Sequence, residues 1–515
     1  MANRYQEYVC SLSLTMSAIV LAAINAKWIH PSLALRLLKA NLGSLETHCT
    51  ILEFALRQPL KEKTAPIIAE QPRLIGLSVS IWNHLATLEL LKALEAEWKS
   101  ETQKPFVVLG GPEVSWLPED AEIFRYADYV IRGEGEESFC SLCFELLGEG
   151  QTAEKIKTDK TIFVGKGDSI VNVNEISSPY RLYTNEDMER KLIYVEASRG
   201  CPFNCEFCLG SSRNLIAAQR VREFPLEPFL ADMETLVKRG GKTFKFLDRT
   251  FNLDIDRAQR IIEFFINQIS GRINDGPFCV HFEMVPSRFP ESLKELLCRF
   301  PAGTLRLELG IQTFNTQTRA LLQMSINIDE ELKTLEFLRE KTNAILHVDL
   351  IAGLPGEGFA SFKSGFDRLW QVLSKQDEDK TPGGLFEIQL GILKCLPGTP
   401  IVRRNEAYKM KYSPDPPYEV IETGALSAAE LDKIKNFARF WELIVNRAPF
   451  PALVHVLLPA GKPAFDRFMD LSDKLLEHFG RNWGIDREEL KSYLLLYTKN
   501  QSSQKPHPGI FWADC

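Results

Sequence analysis

No apolar run in this chain approaches the ~20 residues needed to cross a bilayer, which removes transmembrane helices from the reading. An excess of basic charge is also missing. The net charge of -7 and pI near 5.8 argue against an electrostatic nucleic-acid platform, which shows a basic face and a high pI. The first fifteen residues lack the basic start and long apolar core of a secretory leader, so a cytoplasmic protein is expected, with residues 1–15 as an extension. Cysteine is sparse, 11 scattered through 515 residues, which excludes the disulfide framework of a small secreted chain. What remains, 45% hydrophobic and 25% charged, is the composition of a globular protein of several domains.

Strand-like and helix-like segments alternate from residue 16 to about 147, predicting a doubly wound parallel sheet. Strands are expected at 19–24, 49–54, 74–81, 106–111 and 129–136. Ligands of such sheets sit beyond the carboxyl ends of the strands. Those ends carry Ser78, Ser80, Gly110, Gly111, Gly133 and Gly135, whose small side chains let a flat or phosphate-bearing ligand approach the backbone. Trp28, His30 and Trp82 could line a pocket there, although a Trp-capped core edge with His30 starting a helix is the favoured reading. Cys140 and Cys143 read as two thiols on one face of a buried helix, without a redox role.

Residues 148–190 read as a connector with a hairpin turning at Gly165-Lys-Gly167 between 162–164 and 170–173. From 191 to 400 the alternation resumes for six cycles, with strands expected at 192–196, 244–248, 280–284, 305–311, 346–352 and 386–393. That is a partial version of the eight-unit barrel, whose active sites lie where strands end in loops. Residues 401–515 turn polar and Pro-rich, then mostly helical to about 496, and end in a polar tail.

Chemistry is concentrated after the first barrel strand, in Ser198-Arg-Gly-Cys-Pro-Phe-Asn-Cys-Glu-Phe-Cys-Leu-Gly210. Cys201, Cys205 and Cys208 can hold three irons of a four-iron cluster, leaving the fourth open to a ligand from outside the protein. A structural zinc site needs four ligands, and no His lies in the sequence near this trio.

This spacing, with Phe207 before the last Cys, resembles the radical S-adenosylmethionine (SAM) enzymes. The doubly wound domain ahead of it, with Gly110-Gly-Pro-Glu113 and Arg132-Gly-Glu-Gly-Glu-Glu137, resembles their cobalamin-binding class. The resemblance implies a 4Fe-4S cluster, SAM and cobalamin, with Ser78, Ser80, Gly110, Gly111, Gly133, Glu134 and Gly135 near the corrin. No His is preceded by Asp two residues earlier, so a corrin here would lack the His ligand that Asp-x-His-x-x-Gly domains supply. For SAM it implies Phe207, Asp248 and Glu283 at strand ends, Glu308 and Gln312 within Arg306-Leu-Glu-Leu-Gly-Ile-Gln-Thr313, and Gly353 and Gly356 closing over adenine. Asp248 would hold the ammonium group, although the family's Gly-Gly-Glu is absent at that strand end.

The implied activity is 5′-deoxyadenosyl radical formation and cobalamin-dependent methylation of an unactivated carbon on a small-molecule or peptide substrate. A flavodoxin or ferredoxin would be the electron donor. A rearranging or ring-forming enzyme, a methylthiotransferase and a non-catalytic cobalamin sensor stay open.

Overall fold

The computed structural model describes residues 18–98, 104–148, 161–211, 221–271, 278–375 and 386–503. The expected extension 1–15 and the last residues of the tail lie outside them. The chain divides into two compact units, the first made of residues 1–283, 395–402 and 413–418, the second of 284–394, 403–412 and 419–515.

In the first unit, β1 (Ile19–Asn25), β2 (Cys49–Ala55), β3 (Leu74–Ser78), β4 (Phe106–Gly110), β5 (Tyr129–Ile131) and β6 (Ile162–Val164) form one sheet in the order β2-β1-β3-β4-β5-β6. Every pairing is parallel. Both faces are covered, because alternate side chains feed two different cores. Val20, Ala22 and Ile24 join the one that includes Leu90, Leu91 and Leu94, while Ile19, Leu21 and Ala23 join the one that includes Phe139, Leu142 and Leu146. The strand order reverses between β1 and β3, so the ligand crevice of the sheet lies there.

The hairpin expected around Gly165 does not form. Ile162–Val164 instead adds to β5 as a parallel strand at the edge of the sheet, and 170–173 forms no strand. Gly165, at φ +75, turns the chain so close to β5 that an added Cβ would lie 2.9 Å from the Arg132 carbonyl.

The same unit then runs through β7 (Ile193–Val195), the antiparallel pair β8 (Ser198–Gly200) and β9 (Val221–Glu223), β10 (Thr243–Phe246) and β11 (Cys279–Met284). Strand β10 pairs parallel with both β7 and β11. Their inward faces meet in a phenylalanine core where Phe246 lies 4.7 Å from Phe282 and Phe251 stacks on Phe282 at 4.1 Å.

In the second unit β12 (Leu305–Gln312), β13 (Ile345–Ala352) and β14 (Phe386–Ile392) pair parallel. Leu305, Leu307, Leu309 and Ile311 are buried while Arg306, Glu308, Gly310 and Gln312 between them are not, the two-residue alternation of a barrel strand. Strands and helices thus continue the partial-barrel pattern.

The helices Ala428–Trp441 and Phe465–Phe479 pack on Phe359–Ser374 through Phe366, Phe437, Trp441 and Phe465, with Phe366–Trp441 centroids 4.8 Å apart. The last helix, Arg487–Ser503, extends beyond the expected onset of the tail.

After Trp441 one turn widens to a π-helix, Glu442–Asn446, and turns Asn446 onto β14, the last strand of its sheet. The Asn446 carboxamide accepts the Ile388 N–H at 3.2 Å and donates to the Ile388 carbonyl at 3.0 Å, as a neighbouring strand would. Asn446→Ala is expected to cost about 1–3 kcal/mol, because it strands two backbone groups of a partly buried strand. A lower midpoint of thermal unfolding checks it, and an unchanged midpoint contradicts it.

Candidate active site

The three cysteines occupy the loop that opens from β8, where Gly200 at φ +98 starts the turn. All three are half-buried. The Cys208 N–H donates to the Cys205 carbonyl at 2.9 Å, which closes the second half of the loop. A Cβ on Gly210 would sit 3.5 Å from Cys208 Sγ and 3.6 Å from Cys201 Cβ, so that glycine has Cys201 and Cys208 as immediate neighbours. Burial pushes the Cys201 thiol up to about 11, with the Phe203 N–H and Arg249 opposing and Cys208 and Glu283 reinforcing the rise. Iron would have to displace that proton, as metals do from coordinating thiols.

Among the described residues no three His, Cys, Asp or Glu side chains gather to hold a single metal ion. Thiolates on a cubane bind separate irons and stand further apart than ligands sharing one ion. Three soft donors in a partly open loop that contains no histidine fit an iron-sulfur cluster.

Asp248, just beyond β10, is 2% exposed and has both oxygens engaged. Oδ2 accepts the Ala197 N–H at 2.9 Å and Oδ1 the Ser198 hydroxyl at 2.6 Å. Burial raises its pKa to about 6, against the pull of those donors. It anchors the strand entering the cysteine loop, rather than standing open for an ammonium group. Glu283, on β11, is more exposed and pairs with Arg249 at 3.8 Å. Both act on Cys201, and the sequence reading had missed Arg249. Phe207 is half-buried within the loop. Its neighbour Glu206 is buried, and the Glu206 backbone carbonyl accepts the Ile401 N–H at 2.9 Å, stitching the loop to the segment after Leu396-Pro-Gly-Thr-Pro400.

At the ends of the first sheet Asn83 ties β1 to the run that follows β3. Its Oδ1 accepts the Ser80 N–H at 2.7 Å, and its Nδ2 donates to Ile24 at 2.9 Å and Ser78 at 3.1 Å. Gly111 is required by the backbone: at φ +109 an added Cβ would lie 2.5 Å from the Val79 carbonyl. Gly133, at φ +84, is similarly confined by Ser169, and Gly135 caps the helix Glu136–Leu147. Glu113 is buried, and its Oε1 lies 3.0 Å from His84 Nδ1 and 2.6 Å from the Tyr418 hydroxyl, which donates to it. Trp28 and Trp82 do not cap the core. They are 46% and 54% exposed beyond β1 and β3, where the strand order reverses. Ser32 rather than His30 caps the helix Leu33–Ala40, and His30 meets the Tyr194 hydroxyl at 2.8 Å.

Glu134 departs from the corrin-contact expectation most clearly. Its carboxylate takes both Nη atoms of Arg222, at 2.6 and 2.7 Å, and accepts the Val171 N–H.

In the second unit Gln312 ends β12 at φ +66, next to a break in register with β13. Its Nε2 lies 2.4 Å from where a Cβ on Gly310 would be, so the side chain folds back over that glycine. A non-glycine residue held in this conformation stores strain of about 1–3 kcal/mol. Buried Arg319 supports the turn. It donates to Thr313 and Ile311 carbonyls at 2.6 and 2.9 Å, to Ser325 at 2.8 Å, and to both oxygens of Glu331 at 3.0 and 2.6 Å.

Glu308 stands in register with His347, and His347 with Glu387. His347 Nδ1 lies 3.0 Å from Glu387, Nε2 lies 2.8 Å from Gln389 and 3.3 Å from Asp349. Burial alone would lower the His347 pKa, but these carboxylates raise it to about 10, so the imidazole is cationic at neutral pH. Alternate polar residues on three successive strands were the sequence signal for this row. The Cβ directions of Gly353 and Gly356 are taken by Val420, at 2.4 Å, and the Tyr408 ring, at 3.4 Å.

A doubly wound sheet, a three-thiolate loop and barrel-type strands are the parts of a B12-binding domain followed by a radical SAM domain. Family models agree, matching the B12 binding domain over residues 19–143, the radical SAM superfamily over 195–368 and a protein family of unknown function, DUF4080, over 406–507. Together the first two domains call for cobalamin, SAM and a 4Fe-4S cluster.

An uncharacterized methyltransferase of Pyrococcus horikoshii is 34% identical over 31% of this chain and 37% of its own length. The cobalamin-dependent radical SAM methyltransferase TokK of Streptomyces tokunonensis is 24% identical over 66% of this chain and 49% of its own. The chain therefore spans less than half the length of either. In fold it is similar to the cobalamin-dependent SAM radical enzyme OxsB, solved with aqua-cobalamin and SAM, at 14% identity and a TM-score of 0.61 over 95% of this chain and 81% of that one. No helix among the described residues is long and apolar enough to cross a membrane.

Proposed function

We propose that the chain is a cobalamin-dependent radical SAM methyltransferase acting on an unactivated carbon of a small-molecule or peptide substrate. The observation that carries this reading is that the B12-type sheet and the thiolate loop belong to one compact unit. The similarity to TokK, named as such a methyltransferase, supports it.

When bound, the cluster and SAM supply a 5′-deoxyadenosyl radical and cobalamin carries the methyl group. The side chains hold and orient. Cys201, Cys205 and Cys208 would ligate iron, with Phe207 beside them. Arg249 and Glu283, the charged pair acting on Cys201, suit the carboxylate and ammonium of SAM. Asp248 serves them indirectly by fixing the strand before Cys201. In the second unit Gln312 and Glu308 are the polar candidates for ribose, and the Gly353–Gly356 turn is the candidate for adenine.

Exposed Trp28 and Trp82 suit a flat corrin at the β1/β3 reversal, with Ser78, Ser80, Gly110 and Gly111 forming the strand ends beneath it. A flavodoxin or ferredoxin would deliver the electron.

The test is anaerobic loading with iron, sulfide and cobalamin, followed by a chemical reductant and SAM carrying an isotope-labelled methyl. The reading predicts labelled methylcobalamin and 5′-deoxyadenosine. Deoxyadenosine without label on the corrin would favour a rearranging enzyme instead.

A further inference from the structure

One buried ionic cluster of the first unit has no place in the roles above. Arg199 precedes Gly200 and Cys201, and Arg222 lies opposite it in the β8–β9 pair. Arg199 meets Glu196 at 2.7 Å, Glu136 at 2.6 Å and Glu134 at 3.6 Å. Arg222 is gripped by both oxygens of Glu134 and also donates to the Val171 carbonyl at 2.8 Å. All five side chains are 6–12% exposed.

Two guanidiniums directly across a pair of strands repel. Only the carboxylates bridging them make the arrangement stable. Burying so many charges is a poor route to stability, since desolvation cancels most of the attraction, whereas their bidentate geometry fixes orientation. The pair they hold has only three residues per strand, too short to be ordered alone.

Each end of this cluster bears on a cofactor. Arg199 and Arg222 belong to the hairpin that presents all three thiolates. Glu134 and Glu136 belong to Arg132-Gly-Glu-Gly-Glu-Glu137, which leads from β5 into the first turn of the helix Glu136–Leu147, at the ligand-binding end of the first sheet.

We propose that the Arg132–Glu137 run is a clamp that sets the cluster loop against the corrin-binding end of the sheet, with Arg199, Arg222, Glu134 and Glu136 as positioning residues. This rests on the cobalamin and cluster reading given above. A methyl carrier and a radical source must share one substrate carbon, and small errors in their separation are costly to rate. Two ligand sites within one unit need such a fixed reference.

The test uses the full chain loaded with cluster and cobalamin, each reduced to a paramagnetic state. Pulsed electron paramagnetic resonance then reads the magnetic interaction between them. Glu134→Gln and Arg222→Lys are expected to keep iron and corrin content while broadening the distribution of that interaction, and the exchange Glu134→Arg with Arg222→Glu to narrow it again. An unchanged distribution in variants that keep both cofactors overturns the clamp and leaves the functional reading intact. A parent chain that takes up no corrin or no cluster overturns both.

Where a variant loses a cofactor, amide hydrogen exchange in the apo chain decides. Residues 198–208 should exchange about a hundredfold faster than in the parent, with the β1–β4 core unchanged, as expected for loss of one partner of a buried pair. Uniform acceleration throughout the unit would reduce the cluster to a fold staple.

Discussion

Cys208→Ala is expected to bring cluster content and 5′-deoxyadenosine formation down to the level of the iron-free chain. Each of the three thiolates would hold one iron, and no replacement is at hand, because the loop contains no histidine. Cys201→Ala and Cys205→Ala should behave alike. Cys143→Ala is the contrasting case. Its thiol is buried on the helix Glu136–Leu147 and burial pushes its pKa far up, so it is a small apolar side chain that iron does not need. Iron content and the visible absorption of the four variants, prepared anaerobically, check this. Equal loss in all four would mean the loop is not the iron site.

The largest stability effect is expected at Arg319. Its guanidinium carries five N–H bonds, and the structure gives it five acceptors among Ile311, Thr313, Ser325 and Glu331. Arg319→Met leaves Glu331 buried and uncompensated, a loss of about 3–5 kcal/mol. At roughly 2–4 °C per kcal/mol, the melting transition should fall by many degrees. Because Arg319 also holds the carbonyls on either side of strained Gln312, the turn should relax and SAM affinity should weaken while corrin affinity stays. Removing both charges, Arg319→Met with Glu331→Leu, should recover much of the stability but not the SAM affinity. A double variant as unstable as the single one would contradict the ion-pair account.

Much of this architecture was legible in the sequence, for identifiable reasons. Buried parallel strands such as β1 and β4 appear as short apolar runs bounded by turn residues. The helix Ile255–Ser270 carries the spacing that puts Ala258, Ile261, Ile262, Phe265 and Ile269 on one face. The cysteine trio is local and needs no tertiary knowledge.

Features that escaped depend on partners distant in the chain. Tyr418 reaches Glu113 across 305 residues, and Arg222 reaches Glu134 across 88. Glu134, with small neighbours at a strand end, resembled a ligand contact until its arginines were in view. Gly111 likewise looked like room for a ligand, and its bare side is filled by the Val79 backbone. The mistaken hairpin has the same origin: Ile162–Val164 could pair locally or with β5, and burial of the long-range partner decided it.

The most direct test of the account is the spectrum of the reduced cluster with and without SAM. If three cysteines leave one iron open, adding SAM to the reconstituted, reduced chain should shift the electron paramagnetic resonance of the cluster. An identical signal before and after SAM, in a chain that holds its full iron, would show that the last iron is already taken.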